Sequence, residues 1–217
     1  MTYVSWAAFY EGVTDQAYFE LLIPRVMEDI VRRLGTRHST IPATPAVTLQ
    51  RGPVENVAKE ACMARDAFHL VFIHADTGGR SLEAGLEERS VRYCEAMHAL
   101  CDLPMVRCIT IAPRHETEAW VLADPQAVTA ALGYLGSSVS IGLPGNATEA
   151  ERLGDPKKVL AAAVNKVRGR RGPFNVKQIF PAIAQRQSLA NLRHSRSFVT
   201  FESGLRAALT DLGCICK

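Results

Sequence analysis

Apolar, strand-like runs alternate with amphipathic helical patterns in the first half of the chain, and this alternation constrains the fold more than any other feature. A first apolar run, SWAAFY (5–10), precedes an amphipathic segment at 15–34. The runs HLVFIHAD (69–76) and VRCITIAP (106–113) are nearly continuous and β-branched, which is typical of strands buried on both faces. The order of strands and helices predicts an α/β fold with a central parallel sheet flanked by helices and right-handed crossovers.

The pattern changes after residue 132. Residues 133–153 have a loop-like composition rich in Gly and Ser, and GDPKKVLAAAVNKVRGRRG (154–172) then predicts a helix with a basic end. Asp155 is its expected N-cap and Pro156 its first residue. Further helical patterns follow, so we predict an α/β core at 1–132 and a helical C-terminal appendage at 133–217, packed on the core.

Composition excludes few functions. A chain of 217 residues with 47% hydrophobic residues can bury a sizeable core, and a net charge of +3 is too small to indicate nucleic-acid binding by itself. The six cysteines form no CxxC pair, and no signal peptide precedes them, so reduced cytoplasmic thiols are expected, with Cys214 and Cys216 in a frayed tail. No apolar run approaches the ~20 residues of a membrane span.

Acidic residues follow three of the predicted strands. Glu11 follows the run SWAAFY, and Asp15 lies one helical turn later. Asp76 ends the run HLVFIHAD, and Glu116 and Glu118 follow the run VRCITIAP. Because the carboxyl ends of parallel strands share one edge, these acids are expected to converge, as a divalent-cation site requires. Helix capping at three successive loops is the alternative interpretation.

Three segments resemble motifs of a known family: FYEGVTDQAYF (9–19), VFIHADTGG (71–79) and APRHETEAWVLAD (112–124). Their order and spacing resemble those of Toprim-fold nucleases, in particular the small DUF4276-type proteins related to the Toprim half of OLD nucleases. The resemblance covers about the first 125 residues. It implies a Toprim-like sheet and a site that uses Mg²⁺ or Mn²⁺.

The resemblance also implies roles for individual residues. Glu11 matches a glutamate that acts as general acid or base, or as a metal ligand, and Asp76 matches the Mg²⁺-binding second aspartate of a DxD motif. These two are the expected catalytic residues. Asp15 and Glu118 match further acids and are expected metal ligands.

His74 departs from the family pattern, because it stands where the first aspartate of DxD is expected. Imidazole is a poor ligand for Mg²⁺ and suits Mn²⁺ or Zn²⁺ better. His74 is therefore counted among the candidate metal ligands. A weakened site, a hydrogen bond to a ligand and a satisfied core histidine are the open alternatives.

Glycines and basic residues supply candidate phosphate contacts. A glycine loop directly follows Asp76, and 157–196 is rich in Lys and Arg and poor in acids. Backbone N–H groups of such loops attract anions, and nucleic-acid phosphates need a positive track. The alternative is a solvated charged face. The candidates are Gly78, Gly79, Arg80, Lys157, Lys158, Arg170 and Arg171.

The resulting functional prediction is a metal-dependent Toprim-type nuclease that hydrolyses phosphodiester bonds. The chain has no Walker A pattern, and the resemblance implies an effector subunit of a bacterial anti-phage defence system that works with an OLD- or ABC-type ATPase partner. Its substrate would be nucleic acid, with no membrane involved. Two alternatives remain: a catalytically degenerate Toprim domain that binds nucleic acid or the ATPase, and another metal-dependent phosphohydrolase.

Overall fold

A four-stranded parallel sheet forms the centre of the computed structural model, which describes residues 2–35, 38–169 and 175–216. The strand order in this sheet is β4-β2-β5-β6, and β1 pairs with β3 in a separate two-stranded parallel sheet. The predicted α/β class and the parallel sheet are confirmed. The strands are β1 Thr2–Tyr3, β2 Trp6–Phe9, β3 Ser39–Thr40, β4 Val47–Leu49, β5 Leu70–His74 and β6 Cys108–Ile111.

The register of the sheet aligns the carboxyl ends of its three longest strands. Phe9 of β2 pairs with Ile73 of β5, and His74 of β5 pairs with Ile111 of β6. Residues that follow Phe9, His74 and Ile111 therefore emerge at the same edge of the sheet. This edge positions the candidate site.

The sheet is buried on both faces, which explains the uninterrupted apolar strands. Trp6 and Phe72 belong to a large buried cluster on one face, while Phe9 and Ile73 belong to a second cluster on the other. Successive strand residues point to opposite faces, so a strand covered on both sides cannot have a polar side.

Helices cover the two faces. Helix α1 packs on one face through apolar residues spaced three or four apart, including Phe19, Ile23 and Met27. Helices α2 and α4 pack on the other. Between α3 and α4 the helical segment contains a π-helical turn at Leu86–Val91. The helices to residue 131 are α1 Val13–Leu34, α2 Val54–Met63, α3 Leu82–Gly85, α4 Arg92–Cys101, α5 Glu118–Val121 and α6 Pro125–Ala131.

The described residues after 132 are helical or in loops, apart from an isolated bridge between Gly35 and Ile215. Phe198 and Phe201 of α11 join the same buried cluster as Phe72, so this region packs directly on the sheet. The domain boundary at 132 stays a prediction. The helices are α7 Ala147–Ala150, α8 Pro156–Arg168, α9 Phe180–Arg186, α10 Leu189–Leu192 and α11 Arg196–Asp211.

A buried carboxylate fixes the start of α11. Glu151 accepts hydrogen bonds from the Ser195 hydroxyl at 2.6 Å and from the backbone N–H groups of Arg196 and Ser197 at 2.9 and 3.0 Å. Burial would raise the pKa of Glu151, but these hydrogen bonds hold it below its ordinary value. The carboxylate thus ties α11 to the segment around α7.

The expectation of reduced cysteines is wrong for four of the six. Cys62 is bonded to Cys101, which joins α2 to α4, and Cys94 is bonded to Cys108, which joins α4 to β6. The partners lie 39 and 14 residues apart, so only the packing of these elements brings them together. Cys214 is a buried free thiol and not part of a frayed tail.

No helix within 2–35, 38–169 or 175–216 combines the length and the apolar character needed to cross a bilayer.

Candidate functional site

Glu11 and Asp76 meet at the carboxyl edge of the sheet. Glu11 follows β2 and Asp76 follows β5, the neighbouring parallel strand. The Glu11 Oε2 atom accepts a hydrogen bond from the backbone N–H of Asp76 at 3.1 Å. The two expected catalytic residues are therefore neighbours in space although they lie 65 positions apart.

An arginine that the sequence did not indicate occupies the other oxygen of Glu11. The Nη2 atom of Arg89 donates to Glu11 Oε1 at 3.0 Å, and both side chains are about one-third exposed. Arg89 belongs to the π-helical turn that follows α3. Glu11 is thus already paired with a protein cation.

His74 lies behind Asp76. Its ring is fully buried, with its centroid 4.6 Å from that of the Phe19 ring. Its Nε2 atom is 3.3 Å from Asp76 Oδ1 and 3.1 Å from the Thr117 hydroxyl, which itself donates to Asp76 Oδ1 at 3.4 Å. The ring faces the carboxylate of Asp76, as expected of a residue that orients a ligand. The His74 Nδ1 atom has no hydrogen-bond partner among the described residues.

The glycine loop after Asp76 is held against the loop after β6. The backbone N–H of Gly78 donates to the His115 carbonyl at 3.1 Å, and the His115 N–H donates to the Thr77 hydroxyl at 2.8 Å. Gly78 and Gly79 have φ values of 61° and 82°, which side chains rarely tolerate. His115 also has a positive φ, 65°, an uncommon conformation that clusters at functional sites.

Glu118 is half-buried at the start of α5. Burial raises its pKa to about 7, and the carboxylates of Glu116 and Asp76 act in the same direction, while Lys157 acts against them. A carboxyl group of this pKa can release or accept a proton near neutrality.

Asp15 lies in the first turn of α1, where Gly12 leaves room for its carboxylate. Across the described ranges no hydrogen bond or ion pair joins Asp15 to Glu11 or Asp76. Its assignment as a metal ligand stays a prediction.

The basic candidates differ in whether their side chains form ion pairs with acidic residues. Arg80 pairs with Glu88 at 2.6 Å and Lys158 with Asp155 at 2.6 Å, whereas Lys157 is exposed near Glu118. Arg170 and Arg171 lie outside the described residues. The segment just before α8 and the glycine loop line the same cleft, which has a volume of about 440 Å³. The residues that line it are Gly78, Gly79, His115, Glu116, Gly154 and Asp155.

The predicted N-cap role of Asp155 is confirmed, and two further residues have structural roles. Asp155 Oδ1 caps α8 by accepting from the Lys158 N–H at 2.9 Å, and Asp124 caps α6. Trp120 is fully buried and packs against Phe198. None of these residues is available for chemistry at the strand edge.

Among the described residues, the acidic side chains do not form a complete metal cage. In the part of the chain that the structure describes, no group of three or more His, Cys, Asp or Glu residues is arranged to hold a metal ion. Glu11 and Asp76 nevertheless offer the hard oxygens that Mg²⁺ and Mn²⁺ prefer. Mg²⁺ is commonly bound through one or two carboxylates, with water and substrate phosphate completing its shell. The residues fit that mode of binding.

No family model, curated protein or solved structure matches this chain, so the site is interpreted from its own geometry. Sequence reasoning missed Arg89 and Thr117. No motif marks Arg89, whose approach to Glu11 depends on the π-helical turn. Thr117 lies inside a quoted motif but resembles an ordinary loop residue.

Proposed function

We propose that this chain is a metal-dependent nuclease of the Toprim type. The observation that carries the proposal is the hydrogen bond between the Glu11 carboxylate and the Asp76 backbone, which joins two strand-end acids beside a glycine loop. The Toprim-like character of the sheet is part of the proposal. It is supported by the parallel strands and by the three motifs at their carboxyl ends.

The roles of the residues follow from their chemistry. Glu11 and Asp76 would hold Mg²⁺ or Mn²⁺, which supplies Lewis-acid stabilisation of phosphate charge and activation of water. His74 and Thr117 would orient the Asp76 carboxylate. Glu118 could transfer a proton near neutral pH.

The wider role rests on the resemblance alone. The chain has no Walker A pattern, and the resemblance makes OLD- or ABC-type ATPases of anti-phage defence systems the proposed partners. A cytoplasmic location stays a proposal, and the Cys62–Cys101 and Cys94–Cys108 disulfides weigh against it, because such bonds are rare in the cytosol.

A catalytically degenerate Toprim domain is the second candidate. The ion pair between Arg89 and Glu11 favours it, because a carboxylate neutralised by a protein cation is less available to a metal ion. His74, in place of the expected aspartate, favours it as well.

A cleavage assay separates the candidates. Single- and double-stranded DNA and RNA oligonucleotides would be incubated with the protein and Mg²⁺ or Mn²⁺, beside a small phosphodiester such as bis-p-nitrophenyl phosphate. The nuclease proposal expects oligonucleotide cleavage that falls about 100-fold or more in Glu11→Gln and Asp76→Asn. The exposed Glu87→Gln on the π-helical turn is the matched control.

Each other outcome points elsewhere. Oligonucleotide binding without cleavage favours the degenerate domain. Hydrolysis of the small diester alone favours another phosphohydrolase. Full cleavage by both site variants would refute the assignment of Glu11 and Asp76.

A further inference from the structure

The guanidinium of Arg89 lies between the Glu11 carboxylate and the backbone of the glycine loop. Its Nη2 atom is 3.0 Å from Glu11 Oε1. On the other side, a Cβ atom on Gly78 would lie only 2.9 Å from Arg89 Nη1. The φ of 61° at Gly78 favours glycine, and the missing side chain lets the guanidinium lie close to the loop backbone.

Arg89 lies in a helical turn of uncommon geometry. The helical segment after the glycine loop widens into a π-helical turn at Leu86–Val91, and π-helical turns are frequent at functional sites. Just before it, Gly85 packs so tightly on Thr77 that a Cβ would lie 2.7 Å from the threonine side chain. The helix is thus pressed against the loop that follows Asp76.

The hydrogen-bonding capacity of Arg89 exceeds what the protein uses. A guanidinium has five N–H donors in a planar fork that matches phosphate oxygens. Within the described ranges, the only hydrogen bond that Arg89 donates from its side chain goes to Glu11. The side chain is 35% exposed, so its remaining donors can reach a ligand in solution.

We propose that Arg89 is a phosphate-binding residue of this site and that its ion pair with Glu11 is the substrate-free arrangement. A nucleic-acid phosphate would take the guanidinium from Glu11 and leave that carboxylate free at the same time. The inference rests on the proposed nuclease function, since it names the residue that receives the substrate phosphate. It also explains how one carboxylate can be neutralised in the resting site and still be available during the reaction.

A double-mutant cycle tests the exchange through binding, without cleavage. The wild type, Glu11→Gln, Arg89→Gln and the double variant would be titrated with a fluorescent oligonucleotide in EDTA at low salt, and anisotropy recorded. Arg92→Gln is the matched control, because Arg92 is exposed and begins α4 directly after the π-helical turn. Thermal unfolding would establish that each variant folds, and Arg89→Lys would replace Arg89→Gln if the latter does not.

The expected changes in oligonucleotide binding depend on whether Arg89 is present. Loss of a charge-assisted contact should weaken binding about tenfold in Arg89→Gln and leave Arg92→Gln near the wild type. Glu11→Gln should bind severalfold more tightly, because the guanidinium is released, and the double variant should bind like Arg89→Gln. With Arg89→Lys, which keeps the charge and loses the fork, binding should fall between that of the wild type and that expected for Arg89→Gln.

Two results would overturn the inference. One is that Arg89→Gln and Arg92→Gln bind the oligonucleotide equally well. Failure of every variant to bind it counts as the same result. The other is the same gain from Glu11→Gln whether or not Arg89 is present, which would indicate general charge repulsion. If the cycle behaves as expected but the wild type cleaves nothing with Mg²⁺ or Mn²⁺, the nuclease proposal fails and the role of Arg89 in phosphate binding stands.

Discussion

The Nε2 atom of His74 lies 3.3 Å from the Oδ1 atom of Asp76, so a fully buried imidazole supports a partly exposed carboxylate. The same carboxylate oxygen accepts from the Thr117 hydroxyl. Two side chains thereby orient the Asp76 carboxylate, and the Asp76 backbone N–H donates to Glu11. Among the interpretations that the sequence left open for His74, this relationship favours a hydrogen bond to a ligand.

His74→Asp should destabilise the protein and fail to improve its use of Mg²⁺. A carboxylate in the place of a fully buried ring next to Phe19 would be desolvated and would repel Asp76, at a cost of about 3 kcal/mol in the free energy of unfolding. Chemical denaturation and metal-dependent cleavage would both be measured. A stable variant with a new preference for Mg²⁺ would instead make His74 a direct metal ligand.

Thr117→Val provides the companion test of orientation. It keeps the shape of the side chain and removes the hydroxyl that contacts His74 and Asp76. Outer-shell partners of this kind are typically worth about 10- to 100-fold in activity or metal affinity. The expected result is reduced Mn²⁺ affinity, measured by calorimetry, in a protein that remains folded; unchanged affinity would contradict the role given to this contact.

The part of the candidate site that could be predicted from the sequence is the part that parallel strands alone determine. Once the strands are taken as parallel, Glu11 and Asp76 must emerge at one edge, whatever the details of packing. Arg89 could not be found in this way, because its approach depends on a π-helical turn that has no sequence signature here. The pairing of Cys62 with Cys101 was missed for a similar reason, since it depends on how α2 packs on α4.

Removing Glu118 should change how stability depends on pH. Burial raises its pKa from 4.5 to about 7, so between these values the folded state binds more protons than the unfolded state. Stability should therefore fall as pH rises through this window. In EDTA, Glu118→Gln should lose that part of the pH dependence, while the exposed Glu87→Gln keeps it. Parallel curves for Glu118→Gln and the wild type would show that Glu118 titrates normally.

The two lysines at the start of α8 should contribute unequally to nucleic-acid binding. Lys158 is engaged by Asp155, whereas Lys157 is exposed with no ion pair in the described structure. Lys157→Gln should reduce the slope of log affinity against log salt by about one, and Lys158→Gln by less. Lys59→Gln on α2 is the control. Equal slopes for the wild type and Lys157→Gln would assign this lysine to a solvated face.

The disulfides can be tested by counting thiols. With Cys62, Cys94, Cys101 and Cys108 paired, the non-reduced protein should expose two free thiols in denaturant, those of Cys214 and Cys216, and all six after reduction. Reduction should also destabilise the fold, because each bond restricts the unfolded chain. Six reactive thiols before any reductant is added would restore the expectation of reduced cysteines.

Glu151→Ala should destabilise the whole molecule and not only the C-terminal region. Its carboxylate satisfies Ser195, Ser197 and the N–H of Arg196, and α11 packs through Phe198 and Phe201 on the cluster that also holds the sheet. Leaving several buried donors unpaired should cost about 3 kcal/mol, with one cooperative transition in denaturation. The exposed Arg152→Ala is the control. A separate early transition in Glu151→Ala would mean that the C-terminal helices unfold independently of the sheet, as two domains divided near residue 132 would allow.

The stability that Glu151 provides should also depend on pH. Because hydrogen bonds keep the pKa of Glu151 low, this stability should persist at neutral pH and disappear as pH falls through that lowered pKa.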